Sequence, residues 1–199
     1  MAVLEEGFWR RGLFVAGVDE AGRGALAGPV VAAAVVLRPG RHPYRDSKTL
    51  SPRQRERLLD HLLDRALAWG VGACSAAEVD RLGVLVATHR AALKALARLR
   101  VAPQALVTDY LFLETELPLL APPRAETQSP SVAAASILAK VVRDRIMVGL
   151  HHRFPDYGFD RHKGYGTAEH LERLARMGPC PEHRRRFAPV ARVRLVDEA

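Results

Sequence analysis

A valine-rich apolar run over residues 27–37, introduced by Gly28-Pro29, constrains the fold most strongly, because it has the composition of a buried strand. Residues 14–18 form a shorter apolar run that predicts a strand ending at Asp19. Gly22-Arg23-Gly24 lies between these runs and must form a turn. Two more strands are predicted over residues 69–74 and 105–108, with a break over residues 118–123.

Helical patterns alternate with these strands. Ser51, Pro52 and Gln54 predict the start of a helix, since serine caps the first turn, proline fits the first position and glutamine completes a capping box. The other helical segments are residues 84–99, a helix capped by Ser129 or Ser131 that runs to residue 150, and residues 167–177, after a loop over 157–166. This alternation predicts an α/β sandwich of a sheet and helices.

The composition places the chain among single-domain proteins. Its 199 residues suit one domain, with room for a small appendage, and 48% hydrophobic residues can bury a core without disulfide or metal support. The two cysteines, Cys74 and Cys180, are predicted to be reduced thiols. The N-terminus lacks the pattern of a signal peptide, and no apolar run reaches the roughly 18 residues of a membrane span. We therefore expect a cytoplasmic protein without a membrane anchor.

Positive charge is concentrated in the last quarter of the chain. The net charge is +8, and residues 151–194 carry ten Lys or Arg against five Asp or Glu, together with five of the eight histidines. Lysine and arginine gain free energy by displacing counterions from phosphates, so this balance favours a polyanionic partner. A solvated basic surface is the alternative.

The adjacent carboxylates Asp19 and Glu20 are the most informative polar feature. Two like charges beside a core raise each other's pKa unless a cation compensates, although a solvated strand end would also accommodate them. Asp109 directly follows another apolar strand, and neighbouring strands could bring it beside Asp19. Glu126 precedes a helix N-terminus. Oxygen donors without nearby histidine or cysteine suit Mg²⁺ or Mn²⁺ rather than zinc, and two such ions could hydrolyse a phosphodiester.

Five segments in order along the chain resemble ribonuclease HII, the bacterial type 2 ribonuclease H. They are GVDEAGRGALAGPVVAAAVVL (17–37), RDSKTLS (45–51), SVAAASILAKVVRDRIM (131–147), HKGYGTAEH (162–170) and GPCPEHRRRFAPV (178–190). The resemblance implies an α/β fold, a ribonuclease H-like mixed five-stranded sheet flanked by helices with a helical C-terminal extension. It also implies a catalytic domain over residues 1–150 and a basic extension over residues 151–199 packed on the same domain.

The resemblance further implies a metal-dependent endoribonuclease. The family cuts the RNA strand of RNA–DNA hybrids and nicks duplex DNA 5′ of an embedded ribonucleotide, leaving 3′-hydroxyl and 5′-phosphate ends. Asp19, Glu20 and Asp109 match three of its four catalytic metal-binding carboxylates. Glu126 stands where the family usually has aspartate, and its longer side chain could change the position or preference of the second metal. An ordinary loop glutamate is the alternative for Glu126.

Substrate contacts are also implied by the resemblance. Gly22, Arg23 and Gly24 match the turn that reads the 2′-hydroxyl of the ribonucleotide, where glycine lets the backbone approach a sugar closely. Tyr165 matches the tyrosine that packs against the following sugar. Asp46, Ser47 and Lys48 match a motif beside the scissile phosphates, for which a helix-leading turn is the alternative. The family expectation for oligomeric state is a monomer.

Other interpretations remain open at this point. A chain that kept the fold and basic surface but lost its chemistry would bind nucleic acid without cutting it, and a nuclease of the same fold could act on another substrate such as a DNA junction. Histidines at positions 151, 152, 162 and 170 suggest zinc, but without thiol partners we expect them on a solvated or phosphate-facing surface. Arg184-Arg185-Arg186 is either a phosphate patch or a charged face.

Overall fold

A five-stranded mixed sheet forms the centre of the computed structural model, which describes residues 3–44 and 47–193. Its strands are β1 (Val15–Ala21), β2 (Val30–Val36), β3 (Ala68–Cys74), β4 (Ala105–Thr108) and β5 (Leu119–Leu120). They lie side by side in the order β3-β2-β1-β4-β5. β2 is antiparallel to both β1 and β3, whereas β4 runs parallel to β1 and β5 parallel to β4. The predicted mixed five-stranded sheet is confirmed.

Helices cover both faces of the sheet. They are α1 (Glu6–Trp9), α2 (Pro52–Arg65), α3 (Ala76–Leu82), α4 (Val84–Leu96), α5 (Pro130–Arg153), α6 (Phe159–His162), α7 (Ala168–Met177) and α8 (Ala188–Ala191). Alanines of α4 pack with Ala16 and Val18 of β1 on one face, and α2 and α5 pack with Ala33 and Val35 of β2 on the other. Because β2 is buried on both faces, its residues form an uninterrupted apolar run.

Two helix starts follow directly from the sequence. The Ser51 side chain accepts a hydrogen bond from the Gln54 amide, and the Gln54 side chain accepts one from the Ser51 amide, so the predicted capping box is confirmed. Of the two candidate caps of α5, Ser129 is the one used: its hydroxyl accepts from the Val132 amide. Pro130 then occupies the first helical position, where a missing amide hydrogen costs nothing.

β1 lies against α5 with almost no space between the two backbones. A Cβ atom placed on Gly17 would lie 2.1 Å from the Ser131 carbonyl carbon, so only glycine fits at this position. Alternate residues of a strand point to the same face, so Asp19 is directed to the α5 side of the sheet, as Gly17 is. This close packing sets the distance between Asp19 and the first turns of α5.

Three sequence predictions about element boundaries are wrong. β1 does not end at Asp19 but continues to Ala21, because Glu20 and Ala21 pair with Ala32 and Val31 of β2. The break predicted over residues 118–123 contains β5, whose two residues lie between Pro118 and Pro122 and are too few to show a strand pattern. The loop predicted over 157–166 contains α6.

The residues after α5 fold back onto it. Phe159, Tyr157 and Cys180 share a buried cluster with Met147 and Leu150 of α5. His183 forms an isolated β-bridge with Ala27, which links this part to the segment between β1 and β2. The division into residues 1–150 and 151–199 stays a prediction, and residues 194–199 lie outside the described ranges. In the described residues, no helix combines the length and apolar character that a bilayer crossing needs.

Candidate active site

Asp19 and Glu20 lie inside β1, and both side chains are almost completely shielded from solvent. Asp19 is 8% exposed, and its Oδ1 accepts a hydrogen bond of 2.8 Å from the Glu20 amide. Burial, followed by repulsion from Glu20, raises the pKa of Asp19 to about 8, and Asp109 adds to the rise. An ionised carboxylate at this position therefore requires a nearby cation at neutral pH.

Asp109 directly follows β4, beside the carboxylates of β1. Thr108, the last residue of β4, pairs with Val18, the residue before Asp19, so the parallel register brings Asp109 and Asp19 to the same edge of the sheet. The Asp109 Oδ1 accepts a hydrogen bond of 3.2 Å from the Ala125 amide. The sheet topology thus assembles three carboxylates from two separate parts of the chain.

Glu126 lies in a short 3₁₀ helix, Ala125–Thr127, just before α5. It is 8% exposed, and its pKa is raised by burial and by the charge of Asp109. Its Oε2 is buried and has no hydrogen-bond partner among the described residues. Glu126 lines a neighbouring cavity at the N-terminus of α5 rather than the cleft that holds Asp19. The structure therefore brings Glu126 close to Asp109 but outside the lining of the main cleft.

A cleft of about 210 Å³ collects most of the predicted site residues. Its lining includes Asp19, Glu20, Gly22, Arg23, Ser47, Lys48, Asp109 and Tyr165. Gly24 lies on the exposed part of the turn, outside this lining, and Asp46 falls outside the described residues. Residues that are far apart in the sequence thus share one concave surface.

The donor atoms of the cleft suit a hard cation. Arg23 Nη1 lies 3.2 Å from Glu20 Oε1, while Glu20 Oε2 is buried and has no partner among the described residues. A buried carboxylate oxygen without a hydrogen bond is costly and is relieved by a cation. Across residues 3–44 and 47–193, no three His, Cys, Asp or Glu side chains are already grouped closely enough to enclose an ion. The chemistry of the oxygens fits a divalent metal.

Comparison with known proteins agrees with this geometry. A family model described as ribonuclease HII matches residues 16–190. The ribonuclease HII of Thermus thermophilus is 64% identical over 96% of this chain and 95% of its own length. The chain belongs to the ribonuclease HII family. Its curated relatives identify it as a nuclease of the ribonuclease H type.

More distant relatives agree with the family and the fold. The ribonuclease HII of Chlamydia muridarum is 48% identical over 94% of this chain and 86% of its own length. The crystal structure of ribonuclease H2 from Pyrococcus horikoshii superposes with a TM-score of 0.77 at 28% identity, covering 91% of this chain and 97% of that one. The predicted ribonuclease H-like fold and the resemblance to ribonuclease HII are confirmed.

Three residues of α5 also reach this site, although sequence reasoning singled out none of them. The Ser136 hydroxyl forms a hydrogen bond with the Asp19 carboxylate and lies 2.8 Å from the Ser47 hydroxyl. Lys140 lines the cleft. Arg143 lies under the Tyr165 ring, 5.0 Å from its centroid. Positions 136, 140 and 143 share one face of a helix, so their spacing within the matched segment 131–147 was an available signal.

Two buried guanidinium groups shape the turn that follows β1. Arg143 donates to the carbonyl oxygens of Pro29 and Ala27, at 3.0 and 3.2 Å. Arg184 donates to the carbonyl oxygens of Gly28 and Arg23, at 2.9 to 3.0 Å. Arg184 is fully buried, so it contributes to neither a phosphate patch nor a charged face. These bonds fix the backbone of residues 22–29 from beneath.

The expectation of surface histidines is wrong for His162 and His170. His170 is fully buried and His162 is 9% exposed, and their rings stack with centroids 4.3 Å apart. His170 Nδ1 donates to the Tyr165 carbonyl oxygen at 2.9 Å, and His170 Nε2 lies 3.0 Å from Nε2 of His183. The network was not predictable, because the sequence does not indicate that histidines so far apart along the chain are buried together. It supports the backbone at Tyr165 and gives these histidines a structural role.

Proposed function

We propose that this chain is an endoribonuclease that cuts the RNA strand of RNA–DNA hybrids and nicks duplex DNA on the 5′ side of an embedded ribonucleotide. The products are 3′-hydroxyl and 5′-phosphate ends. One observation carries the proposal: Asp19, Glu20 and Asp109 meet in a cleft that also contains Gly22 and Tyr165. Family membership supports the reaction class.

We propose that Asp19, Glu20, Asp109 and Glu126 hold two Mg²⁺ or Mn²⁺ ions. The unpaired oxygens of Glu20 and Glu126 and the raised pKa of Asp19 support this set. Bound divalent cations supply an activated water and stabilise charge on the leaving oxygen. The four carboxylates orient the ions, and Lys48 adds positive charge near Glu20 and Glu126. Because Glu126 stands where the family usually has aspartate, the activities with Mg²⁺ and with Mn²⁺ should be compared.

We propose that the turn after β1 and Tyr165 together select the bond. Backbone groups of Gly22, Arg23 and Gly24 read the 2′-hydroxyl, which is the group that distinguishes RNA from DNA. The Tyr165 ring, backed by Arg143, packs against the sugar that follows the ribonucleotide. Ser47 and Lys48, which line the same cleft as this turn, contact the phosphates.

Cleavage of a defined duplex tests this function. Incubating the protein and Mg²⁺ or Mn²⁺ with a DNA duplex containing one ribonucleotide should give a single nick 5′ of that ribonucleotide. An all-DNA duplex of the same sequence should remain intact. A folded protein that leaves the ribonucleotide duplex uncut, or that cuts the all-DNA control equally, would rule the proposal out.

Asp109→Asn distinguishes an enzyme from a nucleic-acid binder. The substitution removes a charge that faces Asp19 while keeping nearly the same shape, so we expect cleavage to be lost and duplex binding to persist. Binding is measured by fluorescence anisotropy and cleavage by gel electrophoresis. If the wild-type protein binds the duplex but never cuts it, the non-catalytic alternative is correct.

We also propose that the protein acts as a monomer in the cytoplasm on RNA–DNA hybrids and ribonucleotide-containing DNA. The net charge of +8 supports a nucleic-acid partner, and the two free buried cysteines agree with a reducing compartment. Light scattering of the purified protein at micromolar concentration checks the monomeric state, with a mass of 21.9 kDa expected.

A further inference from the structure

Glu5 is a fully buried carboxylate that the reaction does not use. It belongs to the N-terminal segment but meets the start of α5, 124 residues later in the sequence. Its Oε1 accepts hydrogen bonds from the Ser129 hydroxyl and from the Ser131 amide, the latter at 3.1 Å. Its Oε2 is buried without a partner among the described residues. A carboxylate is tolerated here because the positive end of the 24-residue α5 stabilises it.

The same segment holds the turn that leads into α5. The Leu4 amide donates to the Gln128 carbonyl oxygen at 3.1 Å. Ala125 and Val132, which lie on either side of that bond, share a buried cluster with Phe8, and Leu4 packs against it. The N-terminal segment thus contacts residues 125–132 through a backbone bond, a buried carboxylate and apolar packing.

The turn needs such support because its backbone is strained. Arg124, the residue before the 3₁₀ helix Ala125–Thr127, has φ +57°, a left-handed conformation that a non-glycine side chain rarely adopts. On one side the turn is tied to Asp109 by the Ala125 amide. On the other it is tied to Leu4 and Glu5. Glu126 lies between these two attachments.

We propose that Glu5 is a positioning residue that fixes Glu126 for metal binding by holding the junction between this turn and α5. The inference rests on the proposed role of Glu126 as a metal ligand. Removing the Glu5 charge weakens the hydrogen bonds that this side chain accepts from the Ser129 hydroxyl and the Ser131 amide, and it removes the negative charge that the α5 N-terminus stabilises. The turn therefore relaxes and Glu126 moves away from Asp109. The result is weaker metal binding in a protein that is still folded.

Mn²⁺ binding without nucleic acid tests the proposal directly. Glu5→Gln is compared with Glu6→Gln, a matched control in the next position whose side chain is 46% exposed and pairs with Arg10 at the surface. We expect Glu5→Gln to weaken Mn²⁺ binding about tenfold, as is typical for groups that orient a metal ligand. Glu6→Gln should bind like the wild type. Binding is followed by calorimetry, and by the rise in melting temperature on adding Mn²⁺.

Glu126→Gln separates this inference from the proposed function. If Glu126→Gln binds Mn²⁺ like the wild type, the ligand role of Glu126 fails. If Glu126→Gln weakens binding and folded Glu5→Gln does not, Glu126 stays a ligand and the positioning role of Glu5 is overturned. In the double variant, Glu5→Gln should add no further loss, since both substitutions act through the same ligand.

Folding of each variant is checked before titration. Melting curves without metal identify a temperature at which all variants are folded, and affinities are compared there. Ser129→Ala leaves the Glu5 charge in place but deletes one donor to it, together with the cap of α5, and should weaken Mn²⁺ binding in the same direction. Unchanged Mn²⁺ affinity in Ser129→Ala and in Glu5→Gln would contradict the proposal.

Discussion

Gly22 shows how little space the turn after β1 leaves for a side chain. Its φ is +95°, and a Cβ atom there would lie 2.0 Å from Nε of Arg143. Gly24, two residues later in the same turn, has no atom within 4 Å of an added Cβ. The two glycines therefore differ in kind: Gly22 is required by the conformation of the backbone, whereas Gly24 leaves an open surface.

This difference gives a prediction at the residue scale. Gly22→Ala should lower the free energy of unfolding by about 1–3 kcal/mol, because the backbone is strained and Arg143 must move. Gly24→Ala, as the matched control, should leave it unchanged. Urea denaturation followed by circular dichroism measures both. Equal stability of the two variants would show that Arg143 adapts without cost.

Single residues also show what the sequence could and could not predict. Asp19, Glu20 and Asp109 could be predicted as site residues because each lies in or directly after an apolar strand. The strand order then determines where they meet. The spacing of Ser136 and Arg143 placed them on one face of α5, but whether that face turns towards the cleft depends on long-range packing. The burial of Glu5 was equally hidden, since its partner lies 124 residues away.

Among the elements, α2 has the most complete sequence signal at its start. The capping box of Ser51 and Gln54 follows the 3₁₀ helix Ser47–Thr49, which carries Lys48 into the cleft. Arg55 in the first turn donates to the carbonyl oxygens of Ser47 and Leu50, at 2.9 and 2.7 Å. The first turn of α2 therefore also holds the 3₁₀ helix that carries Lys48 in place.

Loss of this cap should cost a predictable amount. Ser51→Ala removes the acceptor for the Gln54 amide, and we expect unfolding to become easier by about 1 kcal/mol. Ser75→Ala, which removes the equivalent acceptor in the capping box of α3, should cost a similar amount. Thermal melts of the two variants test this. A melting temperature like the wild type's in Ser51→Ala would mean that water replaces the serine oxygen without loss.

At the scale of the whole molecule, buried neutral histidines link the C-terminal part to pH. Nδ1 of His183 accepts a hydrogen bond from the Cys180 amide at 3.1 Å, and its Nε2 donates to His170, which donates in turn to Tyr165. Both ring nitrogens of His183 and both of His170 already take part in hydrogen bonds, so neither ring can accept an additional proton without losing one. Burial, and then the charge of His170, lower the pKa of His183 to about 4.

Stability should therefore fall on acidification. In the unfolded chain a histidine takes up a proton near pH 6.5, whereas folded His183 stays neutral down to about pH 4. The stability that His183 contributes is therefore fully present above pH 6.5 and declines as the pH falls from 6.5 to 4. At pH 5 we expect a loss on the order of 2 kcal/mol from His183. Urea midpoints at pH 7.5 and pH 5 measure it. His183→Asn should reduce the pH dependence, and exposed His152→Gln should retain it in full.

The parallel pairing of β1 and β4 has a consequence for the order of folding. Val15 pairs with Ala105, 90 residues later, so a large loop must close before Asp109 can reach Asp19. Contacts so distant in sequence form slowly compared with helices and hairpins. The antiparallel pair of β1 and β2 can therefore form on the growing chain well before the carboxylates assemble. A nascent chain that lacks β4 has the turn proposed to read the ribonucleotide but not Asp109, so we expect nuclease activity only when synthesis has passed this strand.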